Sequence, residues 1–251
     1  VNNIYKTFPN LYTIRGTTHR DVTGWIESLD LMKSFYPEYL FPSHTRPVIG
    51  KNEINNIFIT YRDAIQYIHD QTIRFMNEGY YPDEISEMIE LPQNLSSSPF
   101  LYEFYGTVRW SVKSIFNGYL GWFNGNPAEL DPLSRKEKAK RISKLAGGEN
   151  ELIKELRLAV DKEDMQWALE LSDYLISLGL FDSEVKTLRQ KALIYEGAKS
   201  SNPNKRNYFL SSALELNDEF ELTNLMNIDD TFLNNLSIDT LLSVLSVRFK
   251  H

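Results

Sequence analysis

The sequence predicts a mainly helical protein with a short α/β segment at its start. Three observations predict it. After Gly50, apolar residues recur every three or four positions in one run after another, the period of a helix with one buried face. Glycines and capping pairs punctuate those runs where helices have to stop and start. Before Gly50 the pattern is different: two short stretches rich in aromatic and β-branched residues flank a single helical period.

The elements follow in order. "NLYTIRG" alternates and then meets Gly16, so it reads as a strand. "RDVTGWIESLDLMKSF" places Val22, Trp25, Ile26, Leu29 and Met32 at helical spacing and ends before Pro37. "YLFPSH" reads as the next strand, and strand, helix, strand is the grammar of a layered α/β domain. From residue 52 to Gly79, Ile57, Tyr61, Ile65, Ile68, Ile73 and Met76 predict a long amphipathic helix. "PDEISEMIEL" predicts a short helix with proline in its first turn, and "LPQNLSSSPF" a loop. "TVRWSVKSIFNGYLGWF" is apolar on most faces, which predicts deep burial. Ser134 and Glu137 have the spacing of a capping box before a basic helix that Gly147-Gly148 ends. Residues 149 to 217 predict a run of helices, with "DMQWALELSDYLISLG" and "DSEVKTLRQKALIYEGAKS" as a hairpin pair. Residues 218 to 228 read as a linker, and Ser237 caps a last helix.

Composition narrows the function. The chain has 251 residues and a net charge of −7, which disfavours binding to nucleic acid, because polyanion binding needs a basic surface. Arg135, Lys136, Lys138, Lys140, Arg141 and Lys144 form the one basic cluster, and their spread around a helix predicts a solvated face. With no cysteine, disulfides, thiolate metal sites and a cysteine nucleophile are excluded; the compartment stays open. No run is long and apolar enough to span a membrane. The chain opens and closes within apolar patterns, so it reads as a part of a longer protein.

Chemistry-bearing residues are few. The four histidines, at 19, 44, 69 and 251, share no metal-ligand spacing, so no complete metal motif is present. Phosphate-cradling glycine loops and the serine-hydrolase elbow are also missing. His69, beside Asp70 in mid-helix, reads as a hydrogen-bonded structural residue, and His19 as a loop residue. Arg15 precedes a glycine at the end of an apolar stretch, where a guanidinium offers either a fork to a tetrahedral oxyanion or a surface ion pair. His44, behind "YLFPS", is either a loop histidine or a ligand at a strand end.

Five stretches carry a resemblance. "NLYTIRGT..RDV..W", "YLFPSHTRPVIG", "YRDAIQYIHDQT", "GYLGWFNGNPAEL" and "NYFLSSALEL" occur here in the order seen in alkyl sulfatases of the metallo-β-lactamase superfamily. "RDAIQYIHDQT" and "GWFNGNP" are the most specific of them. The resemblance implies that residues 1–50 end a metallo-β-lactamase-like αββα sandwich, contributing its last β-α-β elements. It implies that residues 51–217 form an all-helical alkyl sulfatase dimerisation domain, and 218–251 a linker and the start of a sterol-carrier-like domain. The superfamily's H-x-H-x-D-H metal motif is not in this chain and would lie upstream.

The function implied is hydrolysis of sulfate esters of aliphatic alcohols by a homodimer. Two zinc ions per subunit would activate water, a property of bound Zn²⁺. His44 matches the family's metal-ligating histidine at a strand end, and Arg15 its sulfate-binding arginine, which would meet charge on the sulfate oxygens. Two departures bear on this. Asn2 stands thirteen residues before Arg15, where the family has a metal-bridging carboxylate. Trp110 and Trp122 stand where detergent sulfatases carry a histidine and a tyrosine that hold sulfate; indole donates one hydrogen bond and accepts none. The small amphiphilic sulfate ester is therefore one expectation. A retired homologue kept for its helical interaction surface, or a hydrolase of another ester, are the alternatives. This part alone is expected to be inactive, since the missing N-terminal part would hold most ligands.

Overall fold

A computed structural model describes residues 3–12, 14–16, 18–217 and 237–248. Its elements are α1 (Val22–Ser34), β1 (Tyr39–Leu40), β2 (Val48–Ile49), α2 (Lys51–Asn77), α3 (Pro82–Met88), α4 (Gln93–Ser96), α5 (Val108–Leu120), a 3₁₀ turn at Pro127–Glu129, α6 (Arg135–Ala146), α7 (Glu149–Asp161), α8 (Met165–Leu178), α9 (Ser183–Lys199), α10 (Pro203–Glu215) and α11 (Ile238–Arg248). The mainly helical class is as the periodicity predicts.

The first core gathers around α2. Its 27 residues, about 40 Å at 1.5 Å per residue, bury Ile54, Ile57, Phe58, Tyr61, Ile65, Ile68 and Phe75 along one stripe. Onto that stripe pack α1, α3 and α5. The extended segment before α1 adds Ile4, Phe8 and Leu11, each at most 1% exposed. Asp21 starts α1 by accepting from the Gly24 amide at 3.0 Å, and these capping bonds hold its carboxyl below the usual range. A left-handed Gly79 (φ 88°) closes α2, where a side chain would be strained.

The second core is a helical stack. Helices α6, α7, α8, α9 and α10 bury Leu152, Leu156, Leu171, Leu175, Val185 and Leu193 between them. Asp164 and Asp182 cap α8 and α9, and Gly147 and Gly179 end α6 and α8 in the left-handed region. Arg189 ties α9 to α8, donating to Ser172 Oγ at 2.6 Å and to Asp173 Oδ1 at 2.7 Å. The predicted helical hairpins are thus present. The basic residues of α6 are exposed, as their spread implies.

The two cores are joined through buried Asn202, the N-cap of α10. Its Oδ1 accepts from the Asn204 and Lys205 amides, while its Nδ2 donates to Glu103 O at 2.9 Å and Tyr105 O at 3.1 Å. One side chain therefore caps a helix of the second core and pins a loop of the first.

Several expectations need correcting. "NLYTIRG" forms no strand among its described residues; Leu11 and Tyr12 lie in a bend and Ile14 and Arg15 in a turn. A strand exists only with a neighbour to complete its ladder, and the described residues offer none there. β1 instead pairs antiparallel with β2, Tyr39 opposite Ile49 and Leu40 opposite Val48, so the β-α-β order is replaced by a minimal hairpin after α1. "LPQNLSSSPF" contains the short α4 rather than only loop. At Ser134 only half of the capping box forms: Ser134 Oγ accepts from Glu137 N, but the Glu137 carboxylate takes Lys140 instead. The stretch predicted to be deeply buried is buried only in its first half. Val112, Ile115 and Phe116 are inside, whereas Tyr119, Leu120 and Trp122 are exposed. The linker 218 to 228 lies outside the described residues, and Ser237 caps α11 by accepting from Thr240 N at 3.1 Å.

Candidate active site

The segment before α1 is fixed by a backbone clamp. Phe8 N donates to Tyr102 O at 2.8 Å, Thr7 Oγ1 donates to the same oxygen at 2.7 Å, and Phe104 N donates to Thr7 Oγ1 at 3.2 Å. Next to the clamp, Gly106 lies so close to the Pro9 carbonyl that no Cβ fits. Glycine is required there by proximity, not by a left-handed backbone. The same logic holds at Gly118 on α5, whose missing Cβ leaves room for the His19 ring. His19, expected in a loop, thus packs its ring on a helix.

This close approach shapes a cavity of about 270 Å³ lined by Tyr5, Asn10, Arg15, Arg20, Trp25, His44 and Tyr105. The structure therefore brings Arg15 and His44, 29 residues apart in sequence, to one place. Arg20 Nη1 donates to Asn10 O at 2.8 Å, and its guanidinium lies 6.0 Å from the centre of the Trp25 ring. Trp25 is itself anchored, its Nε1 donating to Asn3 O at 3.1 Å. The Tyr5 ring stands edge-on to His44, 6.0 Å between centres, and to Tyr105 at 5.9 Å. Arg15 and His44 are exposed, so the cavity opens on their side.

Its electrostatics favour an anion. Two guanidinium groups line it and, among the described residues, no carboxylate does. The Tyr5 hydroxyl and the Asn10 Oδ1 are buried without a hydrogen-bond partner among the described residues. An unmade bond at a buried polar atom costs about 1–3 kcal/mol, so such atoms beside a cavity mark where a polar ligand or water belongs. Burial, reinforced by the neighbouring Tyr105 phenol, pushes the Tyr5 phenol well above its usual range, and nearby Arg20 offsets only part of this. Tyr5 stays protonated at neutral pH and can donate to an acceptor in the cavity.

The other predicted residues fall elsewhere. Trp110, at the start of α5, lines a larger cavity on the other side of the Glu103–Thr107 segment. Trp122 follows the end of α5, is 75% exposed and stacks tilted on Phe123 at 5.8 Å; it is not on the wall of either cavity. Asn2 lies outside the described residues. His69 bridges Asp70 and Tyr119, at 2.8 Å on each ring nitrogen, the hydrogen-bonded role its neighbour suggests. Tyr5, Asn10, Arg20, Trp25 and Tyr105 escaped the sequence reading. Arg20 and Trp25 sit inside a quoted motif, but nothing local marks Tyr105, which arrives from about a hundred residues away through the clamp.

No group of three or more His, Cys, Asp or Glu among the described residues could hold a metal ion. His44 alone does not make a zinc site, and its cavity neighbours add cations and neutral groups. The residues present do not by themselves fit a resident zinc pair.

Residues 81–219 match the family model described as alkyl sulfatase dimerisation. The chain is 43% identical over 216 residues to a linear primary-alkylsulfatase of a Pseudomonas strain, covering 86% of this chain and 41% of that protein. It is 30% identical to an (R)-specific secondary-alkylsulfatase of Pseudomonas sp., covering 86% of this chain and 33% of the relative. Among solved structures, a double mutant of the sec-alkyl sulfatase PisA1 superposes with a TM-score of 0.85 at 26% identity, over 99% of this chain and 40% of that one. The chain thus spans less than half the length of these relatives. By its helical fold and this match, the chain belongs to the alkyl sulfatase dimerisation family.

Proposed function

We propose that this chain is the part of a sulfate-ester hydrolase that supplies its dimerisation surface and one wall of its active site. The observation that carries the reading is the convergence of Arg15 and His44 on one cationic cavity containing unsatisfied buried polar atoms. In this reading Arg15 forks onto the sulfate oxygens, and a guanidinium suits that tetrahedral anion better than an ammonium because it offers paired donors. Arg20 adds a second positive charge, and its bond to Asn10 O keeps it pointed at the cavity. Tyr5 offers its proton to the bound ester. Residues 1–50 belong with a preceding metallo-β-lactamase-like domain, and 218–251 with a following sterol-carrier-like one.

Zinc enters as a proposal about the longer protein. His44 would contribute one imidazole toward a two-zinc centre and Asn2 would stand in place of a carboxylate ligand, the remaining ligands coming from the rest of the parent protein. Trp110 and Trp122 are proposed to touch substrate where relatives with other residues hold sulfate. Trp122, exposed here, reaches it only on closure against the rest of the parent or a second copy.

Self-association is the other half of the reading. Between Tyr119 and Leu133, five large apolar side chains are exposed by about half or more: Tyr119, Leu120, Trp122, Leu130 and Leu133. Exposed large apolar side chains gathered within 15 residues of sequence support an interface in this region. Among the described residues no helix is long and apolar enough to cross a membrane.

The test is sulfate release from dodecyl sulfate by the full-length parent and its Arg15→Ala and Arg15→Lys variants. Loss of one charge-assisted bidentate contact to the ester, about 3 kcal/mol, predicts a rate about a hundredfold lower in Arg15→Ala, with partial recovery in Arg15→Lys. Turnover unchanged in Arg15→Ala would remove Arg15 from the site; no turnover by the parent would favour a retired homologue.

A further inference from the structure

The last turn of α5 is gripped at two consecutive residues, Gly118 and Tyr119, and we propose that it is the backstop that sets the arginines of the candidate site, with His19 and His69 as positioning residues. This deepens the reading above and rests on it for the anion that the arginines meet.

A backstop is required by the segment that carries the arginines. Arg15, Thr18, His19 and Arg20 lie outside any helix or strand, so no backbone ladder fixes the two guanidinium groups that line the cavity. Arg20 is tethered at its tip to Asn10 O, and the chain is next fixed at Asp21, the cap of α1. Between the arginines, His19 rests on α5. An added Cβ at Gly118 would overlap Cε1, Nδ1 and Nε2 of the His19 ring together, which places the ring face-on against the helix. Gly118 is helical and its φ is not positive, so glycine serves there for space rather than for conformation. A helix is weakened by glycine relative to alanine, and at this position the weakening makes room for the ring.

The turn itself has to be held. Tyr119, Leu120 and Trp122 are exposed, so apolar burial does not fix the end of α5. A line of side chains does. His69 Nε2 lies 2.8 Å from the Tyr119 hydroxyl, and His69 Nδ1 lies 2.8 Å from Asp70 Oδ1. An ionised carboxylate only accepts, so Nδ1 carries the proton, and Nε2 of the neutral ring accepts from Tyr119. The His69 side chain is 14% exposed and stands on α2, the central helix of the first core. Asp70 thus orients the imidazole, the imidazole holds Tyr119, and the turn so held supports His19. None of these four side chains lines either cavity at the Glu103–Thr107 segment, so their part is to position Arg15 and Arg20 and not to touch the ester.

The experiment is calorimetric titration of the full-length parent with inorganic sulfate, paired with thermal unfolding. Gly118→Ala favours the helix and so keeps or raises the melting temperature, while it drives off the His19 ring and weakens sulfate binding. A displacement of this kind predicts a loss on the order of tenfold. In a His19→Ala background, with no ring to displace, the same change has no further effect on affinity. Tyr119→Phe and His69→Leu each weaken sulfate about fivefold, the worth of one hydrogen bond, and together no more than either alone. His69→Gln, which still offers Tyr119 an acceptor, recovers part of the loss. In a parent that binds sulfate, unchanged affinity in both Gly118→Ala and Tyr119→Phe overturns the proposal. So do losses of affinity that only follow losses of melting temperature.

The two readings fail separately. Hydrogen exchange in peptides containing Arg15 and His19 quickens in Tyr119→Phe if the turn is the backstop, whether or not sulfate binds. Faster exchange there, with sulfate affinity absent from the parent or untouched by Arg15→Ala, sinks the anion reading and leaves the backstop. Sulfate affinity lost in Arg15→Ala, with exchange and affinity both unchanged in Tyr119→Phe, does the reverse.

Discussion

Replacing Gly106 by alanine tests how the candidate site is built. An added Cβ would lie 2.2 Å from Pro9 O, 2.9 Å from Pro9 C and 3.1 Å from Asn10 Cα. Relaxed carbon–oxygen contacts sit near 3.3 Å, so two backbone segments must part by about 1 Å. Neither yields easily. Phe8 and Leu11 are buried on one side, and the bonds of Thr7 and Phe8 to Tyr102 hold the other. Overpacking costs about 1–3 kcal/mol even where side chains can shift, and losing one clamp hydrogen bond adds about 1 kcal/mol. Alanine recovers about 0.4–1 kcal/mol by restricting the unfolded chain. The net expectation is a loss of about 2 kcal/mol, or about 4–8 °C in melting temperature for a chain of this size. Thermal unfolding followed by circular dichroism measures it. Gly79→Ala is the control: φ is 88° there with open space around the Cβ, so only backbone strain of about 1–2 kcal/mol applies. Because Asn10 and Tyr105 flank the clash, Gly106→Ala should also weaken inorganic sulfate binding, while Gly79→Ala should not. A Gly106→Ala protein within about 0.5 kcal/mol of wild type, below the ordinary scale of core changes, would refute the steric reasoning.

Other expectations follow from the same packing. Tyr61 is fully buried with the Tyr5 backbone N–H beside its hydroxyl, and burial raises its pKa, the Tyr5 phenol adding to the rise and that N–H offsetting part of it. Its folded pKa lies above the unfolded value near 10, so its stabilising contribution is complete below that pH and lost as pH rises beyond it. Tyr61→Phe should therefore show a smaller loss of stability between pH 7 and 11 in denaturant titrations than the wild-type chain. Asn202→Ala removes a helix cap and two bonds to the Glu103 and Tyr105 carbonyls, an expected cost of about 2–3 kcal/mol by urea unfolding, against about 0.5–1 kcal/mol for Asn204→Ala, which loses only its 3.3 Å bond to Tyr105 O. Leu130→Asp together with Leu133→Asp puts charge on the exposed apolar patch. Sedimentation should then show a 29.2 kDa monomer, against the doubled mass that the proposed self-association predicts for the wild-type chain.

What could be read from the sequence was what depends on local periodicity. The α2 stripe, the aspartate caps of α8 and α9 and the glycine ends of α6 and α8 are decided within a few residues of themselves. The strand expected at "NLYTIRG" failed because a strand needs a partner that local pattern does not supply. The exposed end of α5 failed for a related reason: Tyr119, Leu120 and Trp122 look like core residues, but apolar character does not say which surface will cover them. At the candidate site, Arg15 and His44 were reached through a resemblance. Asn10, Arg20 and Tyr105 are ordinary polar residues whose meaning comes from a three-dimensional clamp and from Gly106, where the missing Cβ lets two loops touch.

The measurement that tests the central claim most directly is zinc content by elemental analysis of the full-length parent, with wild type, His44→Ala and Arg15→Ala purified side by side. A shared two-metal centre predicts about two zinc ions per wild-type subunit, loss of at least one in His44→Ala, and full retention in Arg15→Ala with sulfate release about a hundredfold slower. Full zinc in His44→Ala, or none in a folded wild-type protein, would contradict the claim that this chain completes a metal-dependent sulfatase site.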